Sequence, residues 1–174
     1  MKMLINRRFA HALVLVTVLM VSACGFQLRG SNGQSNLPFK TIYLGVSDAS
    51  PLGNDLKRYI AGAGGTTIVS DPKAAEAVVE ILSETRNKII LSLNSQGRIR
   101  EYTLSYTLAF QVKDGKNNLL LAPTDIPLRR VISFNESQVL AKESEEAALY
   151  RDMQSDMVQQ ILRRLAAIKP AAAS

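Results

Sequence analysis

The chain predicts an α+β two-layer sandwich, with two helices packed on one face of a small, mostly antiparallel four-stranded sheet in the order β-α-β-β-β-α. Three observations predict it. In REYTLSYTLAFQVK (100–113), Tyr102, Leu104, Tyr106, Leu108, Phe110 and Val112 point one way while Thr103, Ser105, Thr107 and Gln111 point the other, the pattern of a half-buried antiparallel strand. Near the C-terminus, Met153, Met157, Ile161 and Leu165 recur every fourth residue, joined by Tyr150 and Ile168, as on one stripe of an amphipathic helix. Between the first apolar strand and the rest, Ser50–Pro51 reads as an N-cap followed by proline at the first helical position.

Taken in order, TIYLGV (41–46) is the first strand, and the helix after Ser50 places Leu52, Leu56, Tyr59 and Ile60 on one face. That helix stops at GAGG (62–65). A phosphate-binding glycine loop follows a strand and opens a helix; here the order is reversed, so the glycines read as a C-terminal cap. After Asp71–Pro72, residues 76–94 alternate loosely and form one long or broken strand. The strong strand follows, with turns expected around Gln96–Gly97 and Asp114–Gly115. The fourth strand is expected over about 126–134, carrying Ile126, Leu128, Ile132 and Phe134. Pro123 and Pro127 limit its start and suggest a sheet edge. The last helix is expected over about 143–168. Glu143, Glu145 and Glu146 crowd its start and Arg163 and Arg164 its end, matching the helix dipole.

The N-terminus points to export. Lys2, Arg7 and Arg8 precede an apolar run from Ala12 to Val21, too short to span a bilayer, which needs about 18 or more residues. The run leads into V-S-A-C (21–24), which resembles a bacterial lipobox, whose cysteine becomes the acylated N-terminus of the mature protein. Cys24 is the chain's one cysteine. The expected organisation is a cleaved signal peptide (1–23), a lipidated tether (24–39), a folded domain (40–169) and a loose tail (170–174).

Composition narrows the chemistry. With Cys24 acylated no thiol remains for a disulfide, and the single histidine, His11, leaves with the signal peptide. The mature chain therefore has no Cys/His zinc ligands and no Ser–His or Cys–His dyad. Removing Lys2, Arg7 and Arg8 lowers the formal charge from +6 to +3, mildly basic, with no dense basic stretch of the kind that binds nucleic acid. S-D-P-K (70–73) has Ser-x-x-Lys spacing but neither partner element of the penicillin-binding enzymes, and Pro72 fits a turn better. No catalytic, metal or cofactor site is expected; the residues point to a binding or scaffolding protein.

C-G-F-Q-L-R-G (24–30) resembles the mature start of the LptE family of lipopolysaccharide-assembly lipoproteins, as do E-Y-T-L-S-Y (101–106), the arginine pair 129–130, V-L-A-K-E-S-E (139–145) and Q-I-L-R-R-L (160–165). The resemblance covers essentially the whole mature chain. It implies an outer-membrane lipoprotein, with Gly25 after the cysteine where aspartate would signal inner-membrane retention. It also implies lodgement inside LptD, a large β-barrel that delivers lipopolysaccharide to the outer leaflet. An envelope hydrolase and a free periplasmic lipoprotein carrying an apolar or glycolipid ligand stay open as alternatives. Within the LptE reading, Arg98 and Arg100 before the strong strand and Lys142 before the last helix are the expected lipopolysaccharide contacts. An antiparallel hairpin about Asp114–Gly115 brings their segments to one end, where arginine forks and a lysine charge suit the phosphates of lipid A.

Overall fold

In the computed structural model, described over residues 37–169 except Asp48, a single mixed sheet carries two helices on one face. Strand β1 (Thr41–Gly45) leads into helix α1 (Pro51–Ala63). The Ser50 hydroxyl caps α1 by accepting from the Gly53 amide at 3.2 Å, and Gly64, at φ 71°, ends it in a conformation that costs glycine nothing. Strand β2 (Thr67–Ile68) and a 3₁₀ turn (Pro72–Ala74) follow. Strands β3 (Ala77–Leu93), β4 (Ile99–Lys113) and β5 (Leu119–Ser133) form a long meander, and a second 3₁₀ turn (Glu136–Gln138) opens helix α2 (Val139–Ala166).

The sheet order is β2-β1-β3-β4-β5. Strand β1 pairs in parallel with β2 and β3, whereas β3–β4 and β4–β5 are antiparallel along their length. The fold class stands as expected, with a fifth strand added: β2, two residues long and invisible to a periodicity argument. The alternation in β4 is borne out, since Leu104, Tyr106, Leu108, Phe110 and Val112 are all buried. They join Ile42, Leu44 and Val79 from the neighbouring strands. Above them lie Leu52, Leu56 and Ile60 of α1 and the stripe Met153, Met157, Ile161 and Leu165 of α2, all in one core. Each such side chain contributes about 2 kcal/mol by leaving water. Tyr59, expected on the buried face of α1, is exposed instead.

Two boundaries move. Strand β5 begins at Leu119 and runs through both prolines. It is an edge strand, so a missing amide on its open side breaks no ladder. The β4–β5 register also slips between Phe110 and Val112, opposite the stretch from Thr124 back to Leu121 that contains Pro123. Helix α2 begins at Val139, so Lys142 lies inside its first turn and that turn holds no acidic residue. Glu143, Glu145 and Glu146 fall one turn later than the dipole argument placed them. Arg163 and Arg164 do occupy the last turn.

Strand β3 outruns the domain. Val78, Val79 and Glu80 lie between β1 and β4, and from Ile81 onward the strand has β4 alone beside it. A register slip between Ile81 and Ser83 inverts its alternation. Beyond it Glu84, Arg86 and Lys88 share the helix-bearing face with Leu108, Tyr106 and Leu104, while Thr85, Asn87 and Ile89 look out beside Thr107, Ser105 and Thr103.

Candidate functional site

Two surfaces stand out, a sheet face without helices and the far end of the meander. Cross-strand rows on the bare face read Thr85–Thr107–Pro127, Asn87–Ser105–Arg129 and Ile89–Thr103–Val131. Its centre is hydroxyl and amide, able to donate to and accept from whatever covers it.

The far end is made by the β3–β4 turn, the end of β5 and the start of α2. Asn94 shapes the turn: its Oδ1 accepts from the amides of Gln96 and Arg98, both at 2.9 Å, and Gly97 takes φ 74°. The pairing Glu101↔Ser133 and the Phe134 amide bonded to the Arg100 carbonyl at 2.8 Å set the start of β4 beside the end of β5. The Lys142 ammonium donates to Ser133 Oγ at 2.9 Å. The segments carrying Arg98, Arg100 and Lys142 therefore do meet at one end, as the hairpin argument requires.

Their side chains are unequally available. The Arg98 guanidinium lies 3.4 Å from Glu136 in a pair exposed on both sides, which holds it weakly. The Arg100 guanidinium makes no hydrogen bond or ion pair among the described residues. Lys142 is the most committed, with a side chain only 17% exposed and an ion pair to Glu145 at 2.8 Å.

Sequence reasoning missed a second set of cations. Arg86 stacks over the Tyr106 ring at 4.4 Å and donates to Gln154 of α2 at 2.8 Å. Lys88 sits 4.4 Å over the Tyr102 ring and pairs with Glu146. The Tyr106 hydroxyl donates to Glu84 at 2.6 Å, and burial, followed by that bond, pushes its pKa up to about 12. This ladder ties the open half of β3 to α2. The spacing Glu84-x-Arg86-x-Lys88 marks one face of a strand, but the slip after Ile81 hid which face it was. Arg129, on the bare face opposite Ser105, was read only as part of an arginine pair.

Cys24 lies outside the described residues. Within them the polar side chains of buried character are all partnered, and no group of three or more His, Cys, Asp or Glu is placed to hold a metal ion.

The described residues thus form a one-sided sandwich whose bare sheet face is lined with hydroxyls and whose far end carries Arg98, Arg100 and Lys142. A family model described as LptE, lipopolysaccharide-assembly, matches residues 39–165, and the chain belongs to that family. It is 27% identical over 168 residues to an LPS-assembly lipoprotein LptE of Yersinia enterocolitica, covering 95% of this chain and 79% of that protein. It is also 27% identical over 165 residues to the one from Pectobacterium atrosepticum, covering 94% and 87%. Its fold is similar to the solution structure of an uncharacterized lipoprotein B from Nitrosomonas europaea. That match has a TM-score of 0.71 and 40% identity, and covers 82% of this chain and 91% of the other.

Proposed function

We propose that this protein is an outer-membrane lipoprotein, anchored through acylated Cys24, that lodges in an LptD-like β-barrel and assists delivery of lipopolysaccharide to the outer leaflet without catalysing a reaction. The observation that carries the reading is the bare sheet face. A barrel of more than about twenty strands leaves a lumen to be plugged, and barrel interiors are polar. Thr85, Asn87, Thr103, Ser105 and Thr107 form a polar surface that can hydrogen-bond such a wall, while the apolar side of β4, from Leu104 to Val112, is consumed by the core. Family membership over residues 39–165 supports the same role, as do the relatives named for lipopolysaccharide assembly.

The lipopolysaccharide contact falls to Arg98, Arg100 and Lys142, with Arg100 the freest of the three for a phosphate. Purification of the full chain from outer membranes in mild detergent tests the plug: a large barrel should accompany it at one-to-one stoichiometry, and isolation alone would refute the reading. Cys24→Ser should abolish palmitate labelling, and labelling that persists would refute the anchor. Replacing Arg98, Arg100 and Lys142 with Glu should weaken lipopolysaccharide binding while melting temperature and barrel association hold. Unchanged binding in the folded triple variant would remove the site.

A further inference from the structure

Among the described residues the sheet leaves strand backbone without a neighbour in three places, and two of them are guarded. Strand β2, at one edge, is only two residues long. Strand β5, at the other, holds Pro123 and Pro127, which interrupt the row of donors an added strand would need. The third place is the long part of β3. Strand β1 stops at Gly45, opposite Glu80, and no described strand continues its line. From Leu82 to Leu91 every residue of β3 is exposed and none is proline.

The ladder decides which backbone groups are open. The Phe134 amide donates to the Arg100 carbonyl, so Arg100 turns its peptide groups towards β5. Successive strand residues alternate in this respect, so Thr103, Ser105 and Thr107 turn theirs towards β3. Their partners Ile89, Asn87 and Thr85 answer them, which leaves the amides and carbonyls of Glu84, Arg86 and Lys88 on the open side. The Ser105 hydroxyl, 3.5 Å from the Asn87 carbonyl, agrees with that parity. Charged side chains can also guard an edge. Here they are drawn elsewhere: Glu84 accepts from Tyr106, Arg86 donates to Gln154, and Lys88 pairs with Glu146. All three are held over the helix-bearing face, not across the approach in the plane of the sheet.

We infer that the open side of β3, from Glu84 to Lys88, takes an added strand: an extended, proline-free segment of the barrel partner, bound through main-chain hydrogen bonds. The inference rests on the barrel reading proposed above and adds to it the mode of attachment. Continuity identifies the occupant. Thr85, Asn87 and Ile89 belong both to the bare face and to this edge, so a partner covering that face already lies beside the edge. An added strand would carry the polar rows one strand further.

Hydrogen exchange tests this on the full chain, alone and in its detergent complex with the barrel. The amides of Glu84, Arg86 and Lys88 should exchange at least about tenfold more slowly in the complex, the effect of one hydrogen bond each. Those of Thr85 and Asn87, already in the ladder, should be protected in both. Unchanged exchange at the three open positions overturns the added strand and leaves the barrel reading standing, whereas a chain that purifies without a barrel overturns both. Two variants supply a second readout. Lys88→Pro removes one open amide, and Lys88→Ala loses the same Glu146 and Tyr102 contacts but keeps the amide. Barrel recovery should fall about tenfold for proline relative to alanine, and equal recovery overturns the inference. Exchange in the wild-type complex decides the matter even where Lys88→Pro folds poorly. Protection of the three amides in the isolated chain, with a dimeric mass by light scattering, would also overturn it by assigning the edge to a second copy.

Discussion

At Asn94 and at Asp114 the chain reverses direction in the same way. Asn94 Oδ1 accepts from the amides two and four residues on, and so does Asp114 Oδ1, from Lys116 and Asn118 at 2.9 and 2.8 Å. In both, the backbone amide of the first residue bonds to the carbonyl of the fifth at 2.8 Å, and the fourth residue takes positive φ, 74° at Gly97 and 70° at Asn117. The surroundings are opposite. A Cβ on Gly115 would lie 2.7 Å from the Ala75 carbonyl and 2.8 Å from that of Lys73, so the second turn is wedged against the 3₁₀ turn beneath it. Nearby Glu80 accepts from Lys113 at 2.9 Å and Gln111 at 2.6 Å, and the Lys113 bond above all holds its carboxyl below the ordinary range. A Cβ on Gly97 would meet nothing within 4 Å. One turn chemistry thus builds a closed end that anchors the sheet and an open end that presents arginines and leucines. Local sequence makes the turn, and what packs against it decides whether it holds the fold together or stays open.

The comparison assumes a rigid sheet between the ends, and the largest effect comes from breaking it. Tyr106→Asp places a carboxylate at a fully buried position. It should cost about 4 kcal/mol or more and be seen as loss of the cooperative thermal transition; a variant as stable as wild type would mean the two ends are not held by a common core. Next, Gly115→Ala should cost about 2 kcal/mol by forcing a methyl into backbone carbonyls that cannot rotate away. Gly97→Ala should cost only about 1 kcal/mol, from positive φ alone. Denaturant titration of the pair should reproduce that order, and reversed costs would put the wedge at the wrong end.

The smallest effect sharpens the one chemical difference between the turns. Asp114 titrates where Asn94 does not, and its carboxyl is held below 3.8, chiefly by the Asn118 side-chain amide and then by its backbone amide. A depressed folded pKa adds stability that is present above the unfolded value and lost as pH falls through the folded one. Asp114→Asn should therefore flatten the fall in melting temperature below pH 3.8 and change little at neutral pH. An identical acid profile in the variant would show that the turn does not contribute to acid sensitivity.

Much of this molecule was legible as pattern. The period of two in β4, the four-residue stripe of α2 and the Ser50–Pro51 start of α1 each reflect burial on one side of a regular element, and burial of that kind is written directly into residue order. The convergence of Arg98, Arg100 and Lys142 was also readable, because an antiparallel hairpin about a turn fixes which strand ends meet. Three features were not. Strand β2 is too short to carry a period. The slip at Leu82 moves Glu84, Arg86 and Lys88 to the helix-bearing face, and a slip is set by the partner strand. Pro123 and Pro127 signalled an edge, but whether they shorten β5 or lie within it depended on the edge being open.

Taken alone, the sequence determined both helices, four of the five strands, the inward faces of β4 and α2 and the sign of the charge at the far end, since these follow from propensity, periodicity and composition. Only the tertiary structure decided how β3 extends past β1, which cations stay free of carboxylate partners, and why Gly115 must be glycine. Those are properties of distances between segments far apart in the chain, set by which surfaces pack together and which are left open.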